Sequence, residues 1–145
     1  MKFSEFEAET WEEMRTFFDT CLIPVTGLTG SEAPYKAAER LEELRVVMDW
    51  IEFPFQGRIV TYPAIQYGGV EIADLINSVC RKVRQAGFTY VVIASTLNEL
   101  TEILLPEADL VVTQEQYPID ERQRKGQNLA VEKQIHSMWQ GVRKG

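Results

Sequence analysis

Apolar positions along the chain follow two patterns that take turns: stripes at helical spacing, and short continuous runs. Phe6, Thr10, Met14 and Phe17 keep a helical period, and Trp11 and Phe18 widen the stripe. Ser4-x-x-Glu7 has the form of a capping box, and acids at Glu5, Glu7 and Glu9 suit a helix N-terminus, so the spacing predicts a helix over 5–17. "TCLIPV" (20–25) is an apolar run between turn residues and predicts a strand buried on both faces. Ala37, Leu41, Leu44, Met48 and Ile51 line one face of a helix over 34–51, with Pro34 tolerated in its first turn. "GRIVTYP" (57–63) reads as the second strand, and Ile72, Ile76, Val79 and Val83 mark a third helix closed by Gly87. "FTYVVIAST" (88–96), rich in β-branched and aromatic residues, gives the third strand. Leu97, Leu100 and Leu104 predict a short fourth helix stopped near Pro106, and "ADLVVT" (108–113) the fourth strand. Residues 114–128 are polar and turn-rich, a loop. Val131, Ile135, Met138 and Val142 mark a C-terminal amphipathic helix over 129–143, with Trp139 widening its stripe.

Helices and strands alternate throughout, which calls for a parallel sheet with right-handed crossovers and helices on both faces. The expected fold is one α/β domain over 1–145, a small doubly wound three-layer sandwich of Rossmann-like or flavodoxin-like form. Its four-stranded parallel sheet is expected in the order 2-1-3-4. Ligands of such sheets sit beyond the carboxyl ends of the strands, here where the first and third strands part.

Composition narrows the class. A hydrophobic share of 45% and a charged share of 26% are ordinary for a globular chain. No apolar run approaches a membrane span, and the acidic start "MKFSEFE" lacks the apolar core of a signal peptide, so the expected compartment is the cytoplasm. The net charge of −7 is unevenly spread: residues 1–121 carry 9 basic and 21 acidic side chains, residues 122–145 carry 6 and 1. An acidic body repels phosphates and argues against nucleic acid as a partner. The basic residues Arg122, Arg124 and Lys125 precede the last helix, whose stripe either completes the chain's own core or docks on a protein partner or second copy through Trp139.

Candidate chemistry is concentrated in "PVTGLTGSEAP" (24–34), which leaves the first strand and enters a helix. Gly27 and Gly30 let a backbone approach an anion, Thr26, Thr29 and Ser31 offer hydroxyls, and a helix N-terminus adds free N–H groups. The assembled motif is not a phosphate loop, because Ser31 and Glu32 follow Gly30 where a lysine is needed, and Glu32 brings like charge. The plainer reading is a strand-to-helix connection. Ser95, Thr96 and Asn98 follow the third strand and face the same cleft or cap a helix. "PAIQYGG" is read as a loop in which Tyr67, Gly68 and Gly69 either form a mobile lip or only punctuate the approach to the next helix. His136, the only histidine, lies on the last helix away from every strand end; Cys21 and Cys80 sit in apolar runs as buried free thiols; no residue set suits a metal or a cofactor.

The runs "FFDTCLIPV", "FQGRIVTYPAI" and "YVVIAST…PEADLVVT" resemble the uncharacterised YpiF-like family of Bacillota proteins, over residues 17–113 and chiefly through Asp19-Thr20-x-Leu22-Ile23-Pro24. The resemblance implies a cytosolic bacterial protein with no assigned activity, and it carries no site residue across. Two functions follow from the residues. One is a non-enzymatic interaction or regulatory domain. The other is a small-ligand binder or enzyme that holds an anionic or polar ligand between Thr26–Ser31 and Ser95–Asn98.

Overall fold

The structure is a computed structural model that describes residues 1–118 and 123–141; Arg122 and Val142 lie outside them. The central strand β1 (Thr20–Leu28) pairs in parallel with β2 (Ile59–Thr61) on one side and with β4 (Tyr90–Ser95) on the other. β5 (Leu110–Val112) pairs in parallel with β4. The four strands read from the sequence therefore stand in the order expected, but the sheet has five strands. The additional strand, β3 (Ile65–Tyr67), follows β2 along the same side of β1. Pro63 cannot donate to a ladder and splits the edge in two, and the register slips as pairing moves from Leu22↔Thr61 to Val25↔Ile65. "IQY" is thus a strand where the sequence suggested only a loop.

Side chains alternate across the sheet and feed two cores. Cys21, Ile23, Val25, Val91, Ile93 and Val111 point to one face, where α3 (Ala73–Gln85) supplies Ile76, Cys80 and Val83 and α1 (Ala8–Met14) supplies Trp11 and Met14. Leu22, Val92, Ala94, Leu110 and Val112 point to the other, covered by α2 (Pro34–Glu52) and α4 (Leu129–Trp139). Helices on both faces leave β1 and β4 without water on either side, which their unbroken apolar runs require.

Four helices depart from the sequence reading; the last, expected over 129–143, ends at Trp139 with Gln140 as its C-cap. The first is shorter than 5–17: residues Phe3–Glu5 form a 3-10 turn, and α1 begins only at Ala8 behind Glu7, so Ser4 caps nothing there. α2 has the expected extent, but it buries Leu44, Val47, Trp50 and Ile51, while Leu41 is 47% exposed. The expected fourth helix is absent; residues 97–107 are turns and coil. Leu100 and Leu105 are fully buried there, a spacing that no single helical stripe provides, and Asn77 Nδ2 donates to Leu104 O (3.0 Å) while its Oδ1 accepts from Glu107 N–H (3.2 Å). A segment this short gains little from helix formation and more from anchoring its ends.

α4 packs on the chain's own sheet. Val131 and Ile135 are fully buried, and Asn128 caps the helix by accepting from Ala130 and Val131 N–H. Trp139 enters a socket at the amino ends of β1 and β4. Its Nε1 donates to Thr20 Oγ1 (2.8 Å), Thr20 Oγ1 donates to Asp19 Oδ1 (2.9 Å), and Arg58 grips both Asp19 oxygens (2.9 and 3.0 Å). The Arg58 guanidinium lies 3.9 Å from the Trp139 ring centroid, and Phe55 meets that ring edge-on at 4.9 Å. Asp19-Thr20, which heads the run that carries the resemblance, is therefore the receptor for a tryptophan far along the chain.

Candidate functional site

The carboxyl ends of β1 and β4 bring together most of the residues singled out from the sequence, and the chain itself uses their polar groups. Ser95 Oγ donates to Val25 O (3.0 Å) and accepts from Leu97 N–H (3.0 Å). Thr96 Oγ1 donates to Thr26 O (2.8 Å). Thr26 Oγ1 donates to Gln66 O and accepts from Leu28 N–H (3.2 Å). Gly27 holds φ at +78°, and a Cβ on it would lie 2.7 Å from Thr96 Oγ1. The close approach that Gly27 permits is thus to the β4 loop. Asn98 is exposed and accepts from Glu115 N–H (3.2 Å).

Thr29, Gly30 and Ser31 form an exposed turn beyond β1. The Glu32 carboxylate folds back over it and accepts from Thr29 N–H (3.0 Å to each oxygen), Gly30 N–H (3.0 Å) and Thr29 Oγ1 (3.1 Å). Thr29 Oγ1 and Ser31 Oγ are 2.6 Å apart. Hydrogen bonds from its own residue's backbone, and then from Thr29 and Gly30, hold the Glu32 carboxyl below the usual range. The sequence suggests that Glu32 repels an anion. In the structure it occupies the amides that an anion would use.

The open concavity lies elsewhere. A groove of about 850 Å³ runs between α2, the first five residues and the β2–β3 edge. Pro24, Leu28, Leu44 and Met48 line it, and Tyr67 at its rim is 63% exposed. Its charged wall is made of two pairs: Arg45 with Asp49 (2.7 Å) and Lys2 with Glu52 (2.7 Å). In each pair the carboxylate is the buried member, with side chains 15% exposed against 54% and 50% for the cations. Burial pushes the Asp49 carboxyl above its usual range, against the pull of Arg45. No motif announces this groove, because its walls come from three separate stretches of sequence.

Cys21 and Cys80 are buried free thiols; burial raises the first strongly and pushes the second up to about 11, so neither is a thiolate at neutral pH. His136 is exposed, with its ring edge-on to Phe55 at 5.1 Å. Among the described residues no group of three His, Cys, Asp or Glu side chains is placed to hold a metal ion, and no helix is long and apolar enough to cross a membrane.

Neither a curated protein nor a solved structure matches the chain. A family model does, described as "Protein of unknown function (DUF2487)", over residues 9–143. The match reaches past 17–113 at both ends, taking in most of α1 and all of α4 with Trp139, so the tryptophan and its socket fall inside one family unit. With that coverage the chain belongs to the DUF2487 family, whose function is unknown.

Proposed function

We propose that this chain is a non-enzymatic, cytoplasmic interaction or regulatory domain that meets its partner through the groove between α2 and the β2–β3 edge. One observation carries the reading. The hydroxyls of Ser95, Thr96 and Thr26 at the strand ends are spent on the chain's own carbonyls, and Glu32 takes the loop amides, while the groove stays open and largely apolar. Alternating strands and helices in the order found support a doubly wound, Rossmann-like or flavodoxin-like frame. The run Asp19–Pro24 supports a place among the YpiF-like proteins of Bacillota.

The test is a thermal-shift screen with nucleotides and sugar phosphates. A ligand at ~100 times its dissociation constant would stabilise the fold by about 2.7 kcal/mol, a readily measured shift. The expected result is no shift with any of them.

The second reading, an anion at the strand ends, rests on the amides now held by Glu32. Glu32→Gln lowers the charge there and weakens their hold. Isothermal titration with phosphate is expected to show no saturable binding in either the parent or the Glu32→Gln chain. Saturable binding by the variant would move the functional site to this loop.

A further inference from the structure

Five aromatic side chains from three stretches of the chain form a continuous arc beside α1. By ring centroids, Phe3 lies 6.4 Å from Tyr62, Tyr62 5.4 Å from Phe88, Phe88 5.7 Å from Trp11, and Trp11 5.3 Å from Phe6. All five line an open cavity of about 260 Å³. Two of the pairs are nearly perpendicular, Tyr62–Phe88 at 86° and Phe6–Trp11 at 76°, so the rings stand as walls at an angle and not as a flat stack. Phe6 is backed in turn by buried Phe18, edge-on at 5.1 Å, which fixes its place in the arc. Phe88 is buried and Phe3 is 47% exposed, so the arc runs from the core out to the surface.

The charge at this cavity has one sign. Glu7 is the only charged residue in the lining, and it is exposed. It precedes α1, yet its side chain makes no cap hydrogen bond, and among the described residues it forms no ion pair. The cations that do lie over rings, Lys36 on Tyr35 and Arg58 on Trp139, are outside the arc. The negative ring faces and a carboxylate without a partner therefore attract a cation that the chain does not itself supply.

The lining also selects among cations. A bare ammonium brings three N–H donors and a guanidinium five, and rings with a single carboxylate leave most of them unpaired at a cost. A fully methylated ammonium brings its charge on an apolar surface with no donor to satisfy. The volume lies just under the range of about 300–1,000 Å³ that drug-sized ligands occupy, as suits a head group. We propose that the arc of Phe3, Tyr62, Phe88, Trp11 and Phe6 is an aromatic cage for a trimethylammonium head group, with Glu7 at its mouth balancing the charge. Phe3 and Tyr62 line both the cage and the groove, so an occupant of one touches a wall of the other. The cage goes beyond the interaction reading and does not depend on it.

The probes are choline and its neutral carbon isostere, dimethylbutanol, titrated into the full chain by proton NMR. Choline is expected to bind saturably, with its methyl signal moved upfield by the rings, and the isostere to bind about tenfold or more weakly, the loss of the cation–ring attraction. Blocked trimethyl-lysine is titrated alongside. Tighter binding than choline assigns the head group to a modified protein tail, and equal or weaker binding assigns it to a free small molecule. Glu7→Gln and Phe3→Leu should each weaken choline binding several-fold at an unchanged thermal midpoint, since Glu7 holds no structural bond and Phe3 is half exposed. Should Phe3→Leu lower the midpoint, Glu7→Gln carries the comparison alone. Equal affinity for the isostere would make this a plain apolar cavity. No saturable binding of either methylated cation would make the arc core packing only. Binding indifferent to both substitutions would put the site elsewhere, and each of these results overturns the cage. None of them bears on the groove, because the screen with nucleotides and sugar phosphates tests that reading separately.

Discussion

A chain that ends at Lys125 is expected to lose its cooperative thermal transition. α4 is the cover for half of one sheet face: without it Leu110, Val112 and Val92 meet water, and Tyr117 loses the cap residue Asn128 that donates to its carbonyl (3.2 Å). Val131 and Ile135 are both fully buried, and burying each contributes about 1.5–3 kcal/mol. Trp139 and Met138, half-buried against the same cluster, add to this. The sum approaches the whole of a typical domain's net stability of about 5–15 kcal/mol. Circular dichroism on heating, with size-exclusion chromatography, would check it. The expected result is a broad or absent transition with aggregated material. An unchanged midpoint in a monomeric product would mean that α4 is an attachment and not part of the core.

Ile93→Ala is expected to destabilise the fold by about 2–5 kcal/mol, through lost transfer energy and the cavity left behind. Ile93 is fully buried in β4, paired across the sheet with Ile23 on one side and Val111 on the other. Neighbours held in a ladder on both flanks cannot collapse into the space. Urea unfolding is the measurement, with the midpoint lowered and the slope unchanged. A change within the ~0.5 kcal/mol of a surface substitution would contradict the position assigned to it.

The four principal strands were legible because each is a dense apolar run bounded by turns; their order was a preference among doubly wound arrangements that no residue spacing dictates, and the sheet has the order preferred. β3 was not legible, since three residues between Pro63 and Gly68 carry too little pattern to separate a strand from a loop. The buried face of α2 was misjudged at Leu41 because the helix overhangs the groove there, and a side chain that a periodicity count assigns to the core lines an open wall instead, while Met48 both packs on the core and lines the groove. The strand-end residues were found by position, yet their roles were not readable. The carbonyls that occupy Ser95 and Thr96 lie 70 residues earlier in the chain, and no local spacing reports that. The groove was invisible for the same reason.

The Trp139 socket has a consequence for the order in which the molecule can be built. Thr20 opens the central strand, and its hydroxyl waits for a donor 119 residues downstream. β1 also waits for β4 on one side and β2 on the other, so the middle of the sheet is made first and stabilised last. Contacts this distant in sequence slow a fold, because chain entropy is lost before the contact rewards it. During synthesis β1 therefore lacks its β4 ladder until residue 95 has been made, and its Trp139 contact until residue 139. For a nascent chain of this design the Trp139 indole arrives long after the strand whose first hydroxyl it binds.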